Sequence, residues 1–193
     1  REEEADIVVV GSGIAGFMAA MIAKEQASDL KVILLEKNAF YGGSTLFAEC
    51  NGPQAVTTEE AARAAAANHA KNTGYIADPM LFYHLKLDAA ANASWLFGKH
   101  KVGYTQGGGP SFYEGGNGTI PVQKNLTPDC EALGVDMRPN NRAKALLLED
   151  DYTCRGIQVI GEDKQLYNIK CKAVILCTGG MSVDPDDNTP GAI

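Results

Sequence analysis

The sequence offers little to a membrane, a metal or a nucleic acid. No apolar run reaches the roughly 18 residues of a membrane span, so a spanning helix is not expected. The five cysteines, Cys50, Cys130, Cys154, Cys171 and Cys177, are odd in number and nowhere form a C-x-x-C pair. That argues against a disulfide framework, a zinc site or an iron–sulfur site, and against any metal centre built on them, and leaves reduced core or surface thiols. Lysine and arginine nowhere run together and the net charge is −7, so a nucleic-acid groove or an anionic membrane surface is a poor partner. The acidic opening, residues 1–6, is no signal peptide. A cytoplasmic location is expected, with the periplasm as the alternative if a leader preceded Arg1.

Glycine is what the chain has in excess, 21 of 193 residues, where an average share is about 7%. Excess glycine asks for tight turns and close backbone approach. With 45% apolar and 21% charged residues, the chain is globular and long enough for one domain over 1–193.

Residues 6–10 form a short apolar run that breaks at Gly11, and residues 14–26 read as an Ala- and Met-rich helix. Residues 31–36 are a second β-branched and Leu-rich run, so the opening is a βαβ unit on a buried parallel sheet. Residues 38–53 should form a loop against the sheet's carboxyl end. Thr57 or Thr58 caps a helix to about Lys71, with Glu59 and Glu60 in its first turn. Asp78 and Pro79 open a longer helix that Gly98 stops, with Met80, Leu87, Ala91 and Trp95 as its core-facing stripe. No regular structure is implied over 102–118, and a helix is expected from about Thr127 to Leu133, stopped by Gly134. Residues 143–148, 156–160 and 166–171 suggest a three-stranded antiparallel meander, and residues 173–177 another buried strand ended by Thr178, Gly179 and Gly180.

Gly11, Ser12, Gly13, Ile14, Ala15 and Gly16 spell G-x-G-x-x-G between a strand and a helix, and Glu36 ends the next strand 20 residues after Gly16. Gly11 permits the turn, Gly13 lets a pyrophosphate approach, Gly16 lets helix and strand close-pack, and the helix N-terminus offers positive dipole and free N–H groups. Glu36 can accept from ribose hydroxyls, and its charge disfavours a 2′-phosphate, which argues against NADP. The fingerprint alone does not choose between NAD and FAD. Gly42, Gly43, Ser44 and Thr45 add backbone and hydroxyl donors for a second stretch of cofactor, which an NAD-only domain would not need.

These segments together resemble the fumarate reductase and succinate dehydrogenase flavoprotein superfamily, especially its soluble bacterial branch of fumarate reductases, urocanate reductases and 3-ketosteroid dehydrogenases. The resemblance runs through the fingerprint with Glu36 and Lys37, residues 42–45, residues 78–98 with the Trp95–Leu96 pair, residues 133–135 and residues 174–180. It implies an α/β, Rossmann-like FAD-binding domain with a parallel sheet and the small meander. It also implies that Glu36 binds the adenosine ribose and that residues 42–45 approach pyrophosphate and flavin. Gly52 would lie beside the isoalloxazine, Ala143 would meet the adenine through its backbone, and Thr178, Gly179 and Gly180 would line the cofactor.

The departures also carry expectations. Membrane-bound succinate dehydrogenases attach FAD to a His near the position of Ser44, so noncovalent FAD is expected here. Cys177 stands where the family usually has Ala. Residues 189–192 resemble the segment before the family's capping domain, so that domain is expected to be absent, and with it the family's catalytic Arg and substrate-carboxylate ligands; no catalytic residue is assigned. His69, His84 and His100 read as solvated or capping histidines, and Tyr104, Tyr113 and Glu114 receive no role. The expected activity is hydride transfer between flavin and a C–C or C=C bond of a small substrate, foremost reduction of an unsaturated acid, with an electron donor or acceptor protein as partner. The alternatives are a 3-ketosteroid-dehydrogenase-like enzyme and an FAD-binding module without turnover.

Overall fold

The computed structural model describes residues 1–49, 55–105 and 112–180. The chain divides into two compact units, Arg1–Phe47 with Val122–Ile193, and Ala48–Pro121.

The first unit opens with β1 (Glu2–Glu4), β2 (Ile7–Val10), α1 (Ile14–Gln26) and β3 (Val32–Leu35). The second holds α2 (Glu59–Asn72), α3 (Pro79–Ala93), the short pair β4 (Tyr104–Thr105) and β5 (Phe112–Tyr113), and one turn, α4 (Thr119–Pro121). The first unit then resumes with a wide turn, Val122–Leu126, and α5 (Thr127–Ala132), β6 (Asp136–Arg138), β7 (Arg142–Leu148), β8 (Cys154–Ile160), β9 (Leu166–Lys170) and β10 (Ala173–Leu176).

β10, β2, β3 and β6 form a wholly parallel sheet in that order. β3 is buried along its full length because α1 covers one face of the sheet and a second sheet covers the other. That second sheet has the order β1-β9-β8-β7 and contains the expected meander, with β7 and β9 both antiparallel to β8. Val8, Val10, Ile33 and Leu35 of the parallel sheet meet Ile157, Val159, Tyr167 and Ile169 of the mixed one in a single apolar layer. On the opposite face Phe17, Ala20 and Met21 of α1 are fully buried. The fold is therefore the expected α/β one, with two additions. β1 makes the mixed sheet four-stranded by pairing parallel with β9, and β6 extends the parallel sheet.

Both additions are polar edge strands, and a polar network joins them across the sheets. Arg138 donates to Glu3 Oε2 at 2.8 Å and to Asp136 Oδ2 at 2.6 Å. Tyr167, beside them, donates its hydroxyl to Asn141 Oδ1 at 2.7 Å. Hydrogen bonds to Asp136 push the Arg138 guanidinium up despite its burial. Burial alone would raise the Glu3 carboxyl, but hydrogen bonds from Arg138 and Arg1, and their charges, outweigh it and hold Glu3 below its usual 4.5.

In the second unit the expected caps form: Thr58 Oγ1 accepts from Ala61 N at 3.2 Å, and Asp78 Oδ1 from Met80 N at 2.8 Å. α3 runs on into a wide π turn, Ser94–Lys99, before the chain leaves the helix. The expected stripe of α3 is corrected. Met80 is 51% exposed and Ala91 is also exposed. Leu87 does face the core as expected, but its companions are Phe82 and the buried Tyr83, which pack on Ala62 and Ala66 of α2, since an alanine surface leaves room for rings. The stretch expected to be irregular contains the β4–β5 pair. No helix among the described residues is long and apolar enough to cross a membrane.

A depressed carboxyl contributes stability that is present above its unfolded value and lost as pH falls through its folded one. Glu3→Gln should therefore lower the unfolding free energy by about 1–2 kcal/mol at neutral pH. Urea unfolding followed by circular dichroism should show parent and variant converging as pH falls below about 4.5; a gap independent of pH would contradict this account of Glu3.

Candidate functional site

The site is built where β2 ends and α1 begins. Gly11 has φ +98°, which an L side chain rarely adopts, and a Cβ there would collide with the carbonyl oxygen of Cys177 at the end of β10. A Cβ on Gly16 would collide with the carbonyl oxygen of Gly11. Gly13 differs: its backbone is ordinary, φ −66° and ψ 178°, and a Cβ would stand 3.6 Å from Thr45 Oγ1, in ordinary contact. Its lack of a side chain is unused by the fold and leaves room over the start of the helix.

Glu36 follows β3 and is 4% exposed. Its Oε2 accepts from Ser12 N at 3.2 Å and from Ser12 Oγ at 2.5 Å, and its Oε1 accepts from Asn38 N at 2.9 Å. A carboxylate oxygen has two acceptor positions, so Oε1 keeps one for a hydroxyl.

The 42–45 segment lies directly on the fingerprint. Gly42 N donates to Ser12 Oγ at 3.1 Å, Ile14 N donates to Thr45 Oγ1 at 2.8 Å, and a Cβ on Gly43 would lie 3.9 Å from Gly13 N. Thr45 is buried, whereas Ser44, Ala15 and Lys37 are exposed. Thr45 thus serves α1 as a distant cap while its hydroxyl hydrogen stays available to a ligand. The other first-turn N–H groups of α1 have no helical carbonyl behind them and present the positive end of the dipole.

β10 delivers Thr178, Gly179 and Gly180 to the same edge: Cys177 N donates to Val10 O at 2.8 Å, and the three residues that follow are exposed. Ala143 lies on β7 opposite Val159, two residues beyond Asn141, whose N–H donates to the carbonyl of Glu36 at 2.8 Å. The structure therefore brings Gly11, Gly13, Ile14, Gly16, Glu36, residues 42–45 and residues 178–180 to one edge of the sheet. Gly52 falls outside the described residues. Sequence reasoning missed Ser12, because its partners are 24 and 30 residues away.

The histidines lie elsewhere, and not all as expected. His84 is exposed and His100 occupies the C-cap of the Ser94–Lys99 turn, its N–H donating to Trp95 O at 3.1 Å, as expected. The His100 ring, however, is buried against Trp95 at 4.2 Å, and the half-buried His69 stacks on Phe82 at 4.0 Å. No group of acids, cysteines and histidines able to hold a metal occurs among the described residues. A groove of about 590 Å³ opens on the mixed sheet beside Leu147 and Leu148, but its cations Arg155, Lys170 and Lys172 are engaged by Glu149, Glu2 and Asp6 at 2.7–3.0 Å.

A glycine turn at the carboxyl edge of a buried parallel sheet, with an acid ending the second strand, defines a Rossmann-type dinucleotide-binding α/β protein. Residues 6–183 match the family described as FAD dependent oxidoreductase, and the chain belongs to that family. It is 32% identical over 217 aligned positions to fumarate reductase (cytochrome) of Shewanella frigidimarina, covering 97% of this chain and 38% of the relative. It is 28% identical to urocanate reductase of Eggerthella lenta, covering 92% and 32%. The open conformation of a flavocytochrome c3 fumarate reductase superposes with a TM-score of 0.74 at 27% identity, over 93% of this chain and 34% of that one. The chain thus spans well under half the length of the relatives it matches, and its likeness to the fumarate reductase flavoproteins agrees with the resemblance drawn from its motifs.

The glycines divide into two kinds with opposite expected behaviour. Gly13→Ala should unfold within about 0.5 kcal/mol of the parent, since alanine suits the backbone and meets no close atom, yet should retain much less flavin on purification. Gly16→Ala should lose about 1–3 kcal/mol or more through overpacking. Thermal unfolding together with the flavin-to-protein absorbance ratio checks both, and loss of fold in Gly13→Ala would refute the distinction.

Proposed function

We propose that residues 1–193 form the FAD-binding portion of a flavin-dependent oxidoreductase that holds its cofactor noncovalently and reduces the C=C bond of a small unsaturated acid. One observation carries the cofactor reading: the fingerprint, the buried Glu36 and the 42–45 segment are hydrogen-bonded into one edge with room left over Gly13. A dinucleotide needs this arrangement, with anion donors at the helix start, a carboxylate for the ribose, and a second donor segment beyond.

In this reading Glu36 accepts from the adenosine ribose through Oε1, and Ala143 meets the adenine through its backbone. Gly11, Gly13, Ile14, Ala15 and Gly16 take the pyrophosphate, with Lys37 beside the adenosine end. Gly42, Gly43, Ser44 and Thr45 continue toward the flavin, which Gly52, Thr178, Gly179 and Gly180 line. The bound flavin would supply hydride exchange at N5 with a substrate carbon; this chain's residues bind and orient it and shelter its phosphates from water. Noncovalent attachment is supported by Ser44, a residue that forms no bond to flavin, which lies near the position where membrane-bound succinate dehydrogenases carry the covalent His.

The reductive direction is supported by the relatives called fumarate and urocanate reductase, whose substrates are both unsaturated acids; steroid dehydrogenation has in its favour only a shared fold. An electron donor protein and a small-molecule acid are the partners this chemistry calls for.

The purified protein should be yellow, and acid precipitation should release the flavin into the supernatant with the absorbance of free FAD. Flavin retained in the pellet would overturn noncovalent attachment. A colourless protein that takes up no added FAD would overturn the cofactor reading. Oxidation of a reduced viologen dye on adding fumarate or urocanate, but not a saturated acid, tests the substrate class.

A further inference from the structure

We infer that Ser12 is a positioning residue that couples the two halves of the dinucleotide site, setting Glu36 for the ribose and the 42–45 segment for the phosphates through one hydroxyl. The inference rests on the FAD reading above and adds to it.

Ser12 is fully buried, and its hydroxyl has one hydrogen and two acceptor positions. The hydrogen goes to Glu36 Oε2 at 2.5 Å, the short range of a charge-assisted bond. One acceptor position takes the N–H of Gly42 at 3.1 Å. The same residue's backbone N–H donates to Glu36 Oε2 at 3.2 Å. Ser12 thus closes a chain of bonds from the acid that ends β3 to the first glycine of the 42–45 segment.

The other end of that segment is fastened in the reverse sense, with Ile14 N donating to Thr45 Oγ1 at 2.8 Å. Each segment lends a hydroxyl to an N–H of the other, as in a capping box but between stretches 30 and 31 residues apart. Alanine at position 12 would leave the buried Gly42 N–H without this acceptor and would remove from Glu36 the donor that fixes its Oε2. Oε2 would keep only the longer bond from the backbone N–H of residue 12, and the carboxylate, with its ribose-facing Oε1, would be held less firmly. A glycine at position 12 would do the same with added backbone freedom, so the fingerprint pattern alone, which accepts any residue there, does not specify this coupling.

The test is a double-mutant cycle on nucleotide affinity, with FAD and ADP titrated calorimetrically into the parent after flavin removal, Ser12→Ala, Glu36→Gln and the double variant. Ser12→Ala should weaken both ligands on the order of 10- to 100-fold. Once Ser12 is gone, Glu36→Gln should cost much less than it does in the parent, since coupled residues are not additive. A purely structural Ser12 would lower the melting temperature but give additive affinity losses, and additivity would overturn the inference, as would unchanged affinity in Ser12→Ala. If the alanine variant does not fold, Ser12→Cys, which keeps the volume but is a weak donor, enters the same cycle with the same expected coupling. A parent that binds neither FAD nor ADP would sink the cofactor reading and this inference together, whereas binding by the parent with an additive cycle sinks the inference alone.

Discussion

The carboxyl edge of the parallel sheet depends on two Cβ atoms that are not there. The carbonyl oxygen of Gly11 occupies the space a side chain on Gly16 would need, and the carbonyl oxygen of Cys177 occupies the space a side chain on Gly11 would need. With both spaces empty, the end of β2, the first turn of α1 and the end of β10 meet at one point. Overpacking a close-packed contact costs about 1–3 kcal/mol or more, and here the obstructing atoms are backbone that cannot turn aside. The position of the helix dipole, of Ser12 and of the β10 tail all follow from this contact.

Given that contact, hydroxyl side chains complete the edge. Buried polar groups are costly unless bonded, and no buried side-chain nitrogen or oxygen among the described residues lacks a partner. Glu36 is the extreme case, a carboxylate 4% exposed whose oxygens are met by Ser12 and by Asn38 N. The donors come from the chain's own backbone and one hydroxyl, and among the described residues no lysine or arginine is bonded to the acid. A ligand's phosphates would be met by oriented N–H groups and the helix dipole, which are set in place before a ligand arrives.

The legible part of this architecture is the part whose cause is local. β2, α1 and β3 announce themselves by apolar runs and by glycines whose absent side chains are a property of the residue itself, and α2, α3 and the meander by caps and turns. β1 and β6 do not. Three glutamates, and Asp136, Met137 and Arg138, carry no strand signature; they are strands by backbone pairing with β9 and β3, and Arg138, held by Asp136 and Glu3, ties the two edges together. The core face of α3 is only partly legible for a similar reason: Leu87 shows it, but the alanines of α2 decide that Tyr83 and Phe82 complete it. In the site, the glycines and Glu36 were legible from type and spacing, whereas Ser12 and the capping role of Thr45 emerge only when residues about thirty positions apart are brought together.

The same geometry bears on what this stretch contributes to a reaction. A general acid or base works best with a pKa near the working pH. Tyr41, which precedes the 42–45 segment, is pushed up to about 12, first by burial and then by Glu131 and other acidic neighbours. The buried Cys130 thiol, on α5, is also pushed up to about 12 by burial and by Glu131 and Asp129. Both stay protonated and inert at neutral pH, and a thiol in that state is neither nucleophile nor metal ligand. Glu36, with three hydrogen bonds directed at its oxygens, is fixed in place by the groups around it. The residues gathered at this edge are thus organised for fixing a ligand's position, and position is the protein's principal contribution when the bound group carries the electrons.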